Sequence, residues 1–163
     1  MQTTALEVTH MLFEPEVDDF EDSPTNPDLC EIRARVLVAE DDESLRELIV
    51  ARLRREGFAV TEAGSGHEAL DVLAMIAREP HPLDEIDLLV MDVRMPGTSG
   101  LEIARMLRAA NWTLPVVLIT AFPDGEVTGE ASRLGLSLLA KPFPLDRLSE
   151  TALQALVARS GEG

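Results

Sequence analysis

The sequence predicts an α/β domain, a parallel sheet with helices on both faces. Two observations carry this. Five short apolar runs recur after residue 35, each followed by a segment whose apolar residues return every three or four positions. The runs are continuous rather than alternating, which is the pattern of strands buried on both sides. Strand and helix in strict alternation imply right-handed crossovers between parallel strands.

Val36-Leu37-Val38-Ala39 is the first expected strand, running into Glu40-Asp41-Asp42-Glu43. Ser44 is expected to cap a first helix over residues 44–56, with Leu45, Leu48, Ile49 and Leu53 at helical spacing and Gly57 as its stop. Asp42 and Glu43 read as first-turn acids favoured by that helix's dipole rather than as ligands. Residues 58–61 make the second strand. Gly64-Ser65-Gly66 reads as a turn before a second helix that begins at 65 or 66 and runs to 77, with Ala69, Leu70, Leu73 and Ile76 inward. A loop over residues 79–85 leads to the third strand, Leu88-Leu89-Val90-Met91, which ends at Asp92 and leaves through the Met95-Pro96-Gly97 turn. A third helix is expected over residues 100–110. The fourth strand is Val116-Val117-Leu118-Ile119, ending at Thr120, and a short fourth helix lies within 126–134. A fifth strand over 136–140 ends at Lys141, and a last helix covers 145–157.

Composition narrows the class. The net charge is −16 over 163 residues. Nine acids and no Lys or Arg fall in residues 1–31, so the remainder is only modestly acidic. These residues, with Pro15, Pro24 and Pro27 and no sustained period, read as a disordered acidic extension. Within it, residues 5–13 carry Leu6, Met11, Leu12 and Phe13 loosely on one helical face, an alternative reading as a partner-binding helix. No basic patch points to nucleic acid. The single cysteine, Cys30, excludes an internal disulfide, and no apolar run approaches a membrane span, so a soluble cytoplasmic protein is expected. His10, His67 and His81 have no metal-ligand spacing and read as surface residues.

In a parallel sheet every strand ends at the same edge, where ligands bind. That edge should gather Glu40 and Asp41 after the first strand, Asp92 after the third, Thr120 after the fourth and Lys141 after the fifth. Clustered carboxylates repel unless a cation sits among them, and oxygen ligands of this kind suit Mg²⁺. With the cation neutralising an incoming anion, an Asp92 oxygen can attack phosphorus to form an acyl phosphate, and a hydroxyl and an ammonium suit the phosphoryl group that results. Lys141 is also the only lysine beside thirteen arginines, which singles out a place where a compact point charge differs from a planar fork.

Val36-Leu37-Val38-Ala39-Glu40-Asp41-Asp42, Met91-Asp92-Val93-Arg94-Met95-Pro96-Gly97 with Ser99-Gly100-Leu101-Glu102, Pro115 to Ala121, and Ala140-Lys141-Pro142-Phe143 together resemble the receiver domain of two-component response regulators. The resemblance covers the chain from about Arg35 to Ala158, with the four motifs in the family's order. It implies a flavodoxin-like, doubly wound five-stranded sheet of order 2-1-3-4-5. It implies Asp92 as phospho-acceptor, Glu40 and Asp41 as the acidic pair holding Mg²⁺, the Arg94 backbone carbonyl as a further metal ligand, Thr120 as the switch hydroxyl and Lys141 as the phosphate contact. It implies a sensor histidine kinase or histidine phosphotransfer protein as phosphoryl donor. The expected organisation is an acidic extension over residues 1–31, a receiver over 32–160 and no output domain. The output is then another protein, self-association or the acidic extension, read through the fourth helix, fifth strand and fifth helix, with phosphate relay or sink as the remaining option. A downstream protein target is favoured, with no nucleic acid and no membrane.

Two departures from the family pattern are visible. Leu138 stands three residues before Lys141, where Tyr or Phe is common, so the aromatic half of the switch is absent. The loop over residues 79–85 is longer than usual and is expected at the opposite edge of the sheet. Arg94 and Phe122 stand two residues past acceptor and switch, at places that influence phosphate lifetime in the family. Two rival functions remain open at this point. One is a receiver-like interaction module that is never phosphorylated. The other is an Asp-nucleophile phosphohydrolase of the haloacid-dehalogenase type, against which Arg94 stands where that class prefers a second Asp. The favoured reading is a signalling receiver, not an enzyme beyond its own aspartyl phosphorylation and dephosphorylation.

Overall fold

The five apolar runs form one parallel sheet in a computed structural model that describes residues 34–78 and 85–161. The strands are β1 (Arg35–Ala39), β2 (Ala59–Ala63), β3 (Leu88–Asp92), β4 (Val116–Thr120) and β5 (Ser137–Ala140), in the order β2-β1-β3-β4-β5. The helices are α1 (Glu43–Arg55), α2 (Gly66–Arg78), α3 (Gly100–Ala109), α4 (Gly125–Arg133) and α5 (Leu145–Ser160). The expected acidic extension, the possible helix at 5–13 and loop residues 79–84 lie outside the described residues.

Successive strand side chains point to opposite faces, and this sorts the apolar residues into two cores. Val36, Val38, Leu88, Val90, Val117 and Ile119 face α1 and α5. Leu37, Ala39, Leu89, Met91, Val116 and Leu118 face α2, α3 and α4. Every residue of β3 and β4 is buried, as the unbroken apolar runs require. The Asp92 Cα pairs in register with Ile119 on β4, and Ala39 with Met91, so the ends of β1, β3 and β4 lie side by side.

The helix ends follow short-range polar chemistry, and here the expectations need correction. Ser44 does not cap α1. Asp42 does, its carboxylate accepting the Leu45 N–H at 3.0 Å, because the chain is already helical at Glu43 and Ser44 falls inside the first turn. Leu48 is 55% exposed, one position off the inward stripe of Leu45, Ile49 and Leu53. Phe58 precedes β2 rather than joining it, its N–H returning to Leu53 C=O while its ring is buried. Gly57, at φ 90°, makes the exit from α1 as its position suggested. Ser99 and Glu102 cap α3 reciprocally, and Asp124 caps α4, which starts at Gly125, one residue before the expected window. Among the described residues no helix is long and apolar enough to cross a membrane.

Candidate functional site

The carboxyl ends of β1, β3, β4 and β5 bring the chemistry together. Asp92 is the last residue of β3 and is 6% exposed; Glu40, just past β1, is 1% exposed. Lys141, just past β5, joins them. Its Nζ lies 2.8 Å from Asp92 Oδ2 and 3.0 Å from Glu40 Oε2. Asp41 is exposed beside this pair, and oxygens of Glu40, Asp41 and Asp92 lie within 4.8 Å of one another.

Backbone donors complete the arrangement. Arg94 N–H donates to Asp92 Oδ1 at 3.1 Å, and Asp42 N–H donates to Glu40 Oε1 at 3.2 Å. Glu40 Oε2 is buried without a well-directed hydrogen bond, its compensation being the nearby ammonium. Burial is the main force on Glu40 and pushes its pKa up to about 7, aided by the Asp92 charge and opposed by Lys141 and the Asp42 N–H. Burial also pulls Lys141 down, but its hydrogen bonds to Asp92 and Glu40 and their charges outweigh this and hold it above its ordinary value.

Thr120 ends β4 with its residue 1% exposed. It stands one residue past the register partner of Asp92, its Oγ1 accepts the Phe122 N–H at 3.0 Å, and its carbonyl accepts the Lys141 N–H at 2.8 Å. Glu40, Asp41, Asp92 and Lys141 are thus directly together, while Thr120 borders them from the adjacent strand. The Arg94 guanidinium lies over the Phe122 ring, 4.7 Å from its centroid. His67 is an exposed surface residue, as expected.

Three hydrogen-bond or packing partners escaped the linear reading. Arg46 Nη1 donates to the Glu40 carbonyl at 2.9 Å and its Nε faces Glu62 at 3.7 Å, fixing the turn that carries the acidic pair. Gly100 lets α3 start against the end of β3, since a Cβ there would fall 2.3 Å from the Asp92 carbonyl oxygen. The Arg94–Phe122 stack joins two residues already singled out but never as a pair. No spacing rule announces these contacts, because each depends on where a separate element returns.

A family model described as the response regulator receiver domain matches residues 36–153. The chain belongs to the response regulator receiver domain family. It is 32% identical over 127 residues to Regulatory protein AtoC of Escherichia coli (strain K12), covering 77% of this chain and 26% of that protein. Against Sporulation initiation phosphotransferase F of Bacillus subtilis (strain 168) it is 26% identical over 127 residues, covering 77% and 96%. The chain therefore spans about a quarter of the length of AtoC and nearly all of the shorter relative. The receiver domain of the Francisella response regulator 1452 superposes with a TM-score of 0.68 at 28% identity, covering 77% and 98%. This is a receiver of two-component signalling with the CheY-like, flavodoxin-type sheet, and the receivers of this family work with histidine kinases or phosphotransfer proteins.

The donor set fits a hard divalent cation. Three carboxylates supply oxygen, Asp41 lies open to solvent for the ion's waters, and one buried Glu40 oxygen lacks a well-directed hydrogen bond.

Proposed function

We propose that Asp92 accepts a phosphoryl group from a partner phosphohistidine, and that the receiver then presents an altered surface over α4, β5 and α5 to a separate protein. The observation that carries this is Lys141 Nζ within 3.0 Å of both Asp92 and Glu40, amid three carboxylates. An ammonium held there meets the phosphoryl oxygens as they arrive.

Glu40, Asp41, Asp92 and the Arg94 backbone carbonyl would hold Mg²⁺. Bound there, it would screen the negative charge of the incoming phosphoryl group. The Asp92 carboxylate oxygen forms the new bond to phosphorus as the phosphorus–nitrogen bond of the donor breaks, and that electron pair stays on the imidazole. The acyl phosphate carries about 1.5 to 2 negative charges where the Asp92 carboxylate carried one, and spreads them over three outward oxygens. Lys141 then shifts its contact toward those oxygens. Thr120 can turn its O–H toward them, giving up the Phe122 N–H that its oxygen now accepts. Its movement is passed to α4 and β5.

The donor is a sensor histidine kinase or a histidine phosphotransfer protein, and the site of action is the cytoplasm. The similarity to Sporulation initiation phosphotransferase F, matched over nearly its whole length, favours transfer of the signal to another protein. We assign the receiver no nucleic-acid partner, because no basic patch stands out in the sequence. Beyond its own phosphorylation and dephosphorylation we assign it no enzymatic turnover. Leu138, half-buried against the α3 and α4 side, supports the second reading, an interaction module that is never phosphorylated.

Incubation with acetyl phosphate and Mg²⁺ separates the possibilities. A mass gain of one phosphoryl group that is lost in Asp92→Asn supports the switch. No gain supports the module, and turnover of an external phosphate ester would indicate a hydrolase. Repeating it on a chain lacking residues 1–31 tests whether the acidic extension matters.

A further inference from the structure

We propose that Arg105 and Glu130 form an ionic latch between α3 and α4, which holds α4 in its seat and disfavours the phosphorylated arrangement. The latch itself stands on geometry. Its coupling to phosphorylation rests on the reading of Asp92 given above.

Helix α4 has little apolar grip. Of its nine residues only Ala131 is fully buried, with Val127 on the same stripe and Leu134 just past the helix packing partly beside it. Gly125 and Gly129 contribute no side chain, and a Cβ at either would meet open space. By contrast α3 buries five residues. The polar ties from α3 therefore carry unusual weight in placing α4.

Two arginines one turn apart on α3 make those ties. Arg105 Nε donates to Glu130 Oε1 at 2.7 Å. Arg108 Nε donates to the Leu134 carbonyl at 3.0 Å, while its Nη1 serves the Trp112 and Leu114 carbonyls at 2.7 and 3.1 Å. The second is a structural clamp, since the guanidinium also holds the chain after α3 and burial lowers its pKa. The first is the releasable contact, an exposed arginine meeting one carboxylate. Arg133 reaches the same Glu130 oxygen at 2.6 Å but belongs to α4 and travels with it. Hydrogen bonds from Arg133 and Arg105 hold Glu130 below the usual carboxylate range, so the latch is charged at neutral pH.

The route from the site is short. Thr120 Oγ1 holds the Phe122 N–H, and the Phe122 carbonyl accepts the N–H of Asp124, the cap of α4. A Thr120 hydroxyl drawn toward phosphorylated Asp92 releases the first of these links and frees the start of α4. A ligand and a contact that favour opposite arrangements weaken each other reciprocally.

Hydrogen exchange of residues 125–135 in the full chain tests the latch without phosphodonor. Arg105→Gln and Glu130→Gln should each speed exchange about two- to five-fold, the range of a surface ion pair. Arg105→Gln with Glu130→Gln should be no faster than either alone, and Arg133→Gln should stay near wild type. Wild-type rates in both single variants, or an Arg133→Gln effect as large as that of Arg105→Gln, would overturn the latch. With Mg²⁺ present, Glu130→Gln should reach half phosphorylation at two- to five-fold less acetyl phosphate. Loosened α4 with unchanged donor dependence would overturn the coupling. Absence of any phosphoryl gain in the wild type would instead refute the Asp92 reading, whatever the exchange shows.

Discussion

Lys141 does two jobs with one charge. It pairs Asp92 and Glu40 at 2.8 and 3.0 Å, which lets two buried carboxylates coexist, and in the proposed phosphorylation it is the charge that would meet the phosphoryl oxygens. Removing one member of a buried charged group leaves the others uncompensated. Lys141→Met should therefore push Glu40 above its present value of about 7, which a carboxyl NMR titration would read. Glu40 itself predicts a pH dependence. Cation binding needs the ionised carboxylate, so Mg²⁺ affinity should fall up to about tenfold per pH unit as pH drops below about 7. Calorimetry at pH 8 and pH 6 would check this, and equal affinities would contradict it. Arg46 acts through the backbone rather than on the cation. Arg46→Ala should weaken Mg²⁺ binding by loosening the Glu40–Asp41 turn, with partial recovery in Arg46→Lys.

At the scale of elements, helix starts decide how closely the chain approaches Asp92. Gly100 opens α3 against the Asp92 carbonyl, and an added Cβ would meet main-chain oxygen at 2.3 Å with nothing flexible to yield. Gly100→Ala should destabilise the fold by about 1–3 kcal/mol in chemical denaturation and slow phosphorylation as well. Gly129 makes the opposite case. It is a helix-interior glycine facing open space, so Gly129→Ala should stabilise by about 0.5–1 kcal/mol. Cap chemistry shows where a linear reading slips. In Asp42-Glu43-Ser44 two residues have cap propensity, and which one serves depends on where the backbone turns helical, a choice made by the return of α1 onto Val36 and Val38.

For the whole molecule, two apolar cores share one sheet. Ile103→Ala on one face and Leu148→Ala on the other should each cost about 2–5 kcal/mol, and each should still give a single unfolding transition, because neither core survives without the strands common to both. The site adds a pH term to that stability. Between about 4.5 and about 7 the folded metal-free protein keeps the Glu40 proton that the unfolded chain releases, so stability should fall as pH rises through this window. Lys141 works at the other end: its contribution is present below 10.5 and is lost as pH rises through its higher folded value. Thermal melts from pH 4.5 to 8 would show the first effect, and Mg²⁺ at a hundredfold its Kd should raise stability by about 2.7 kcal/mol.

The sequence alone determined the alternation of strands and helices, because short unbroken apolar runs and a 3.6-residue apolar period are local properties that burial must respect. It also determined which residues leave the strands at the carboxyl edge of the sheet, since parallel strands share their direction. Asp92, Glu40, Asp41, Thr120 and Lys141 were all legible in this way. Tertiary structure alone decided which of them touch. Lys141 settled on Asp92 and Glu40, Thr120 gave its hydroxyl oxygen to the Phe122 amide, Arg46 braced the acidic turn and Arg105 reached across to Glu130. Contacts of this kind depend on the docking angle of whole helices, set by packing summed over dozens of side chains, and no short window of sequence contains that sum.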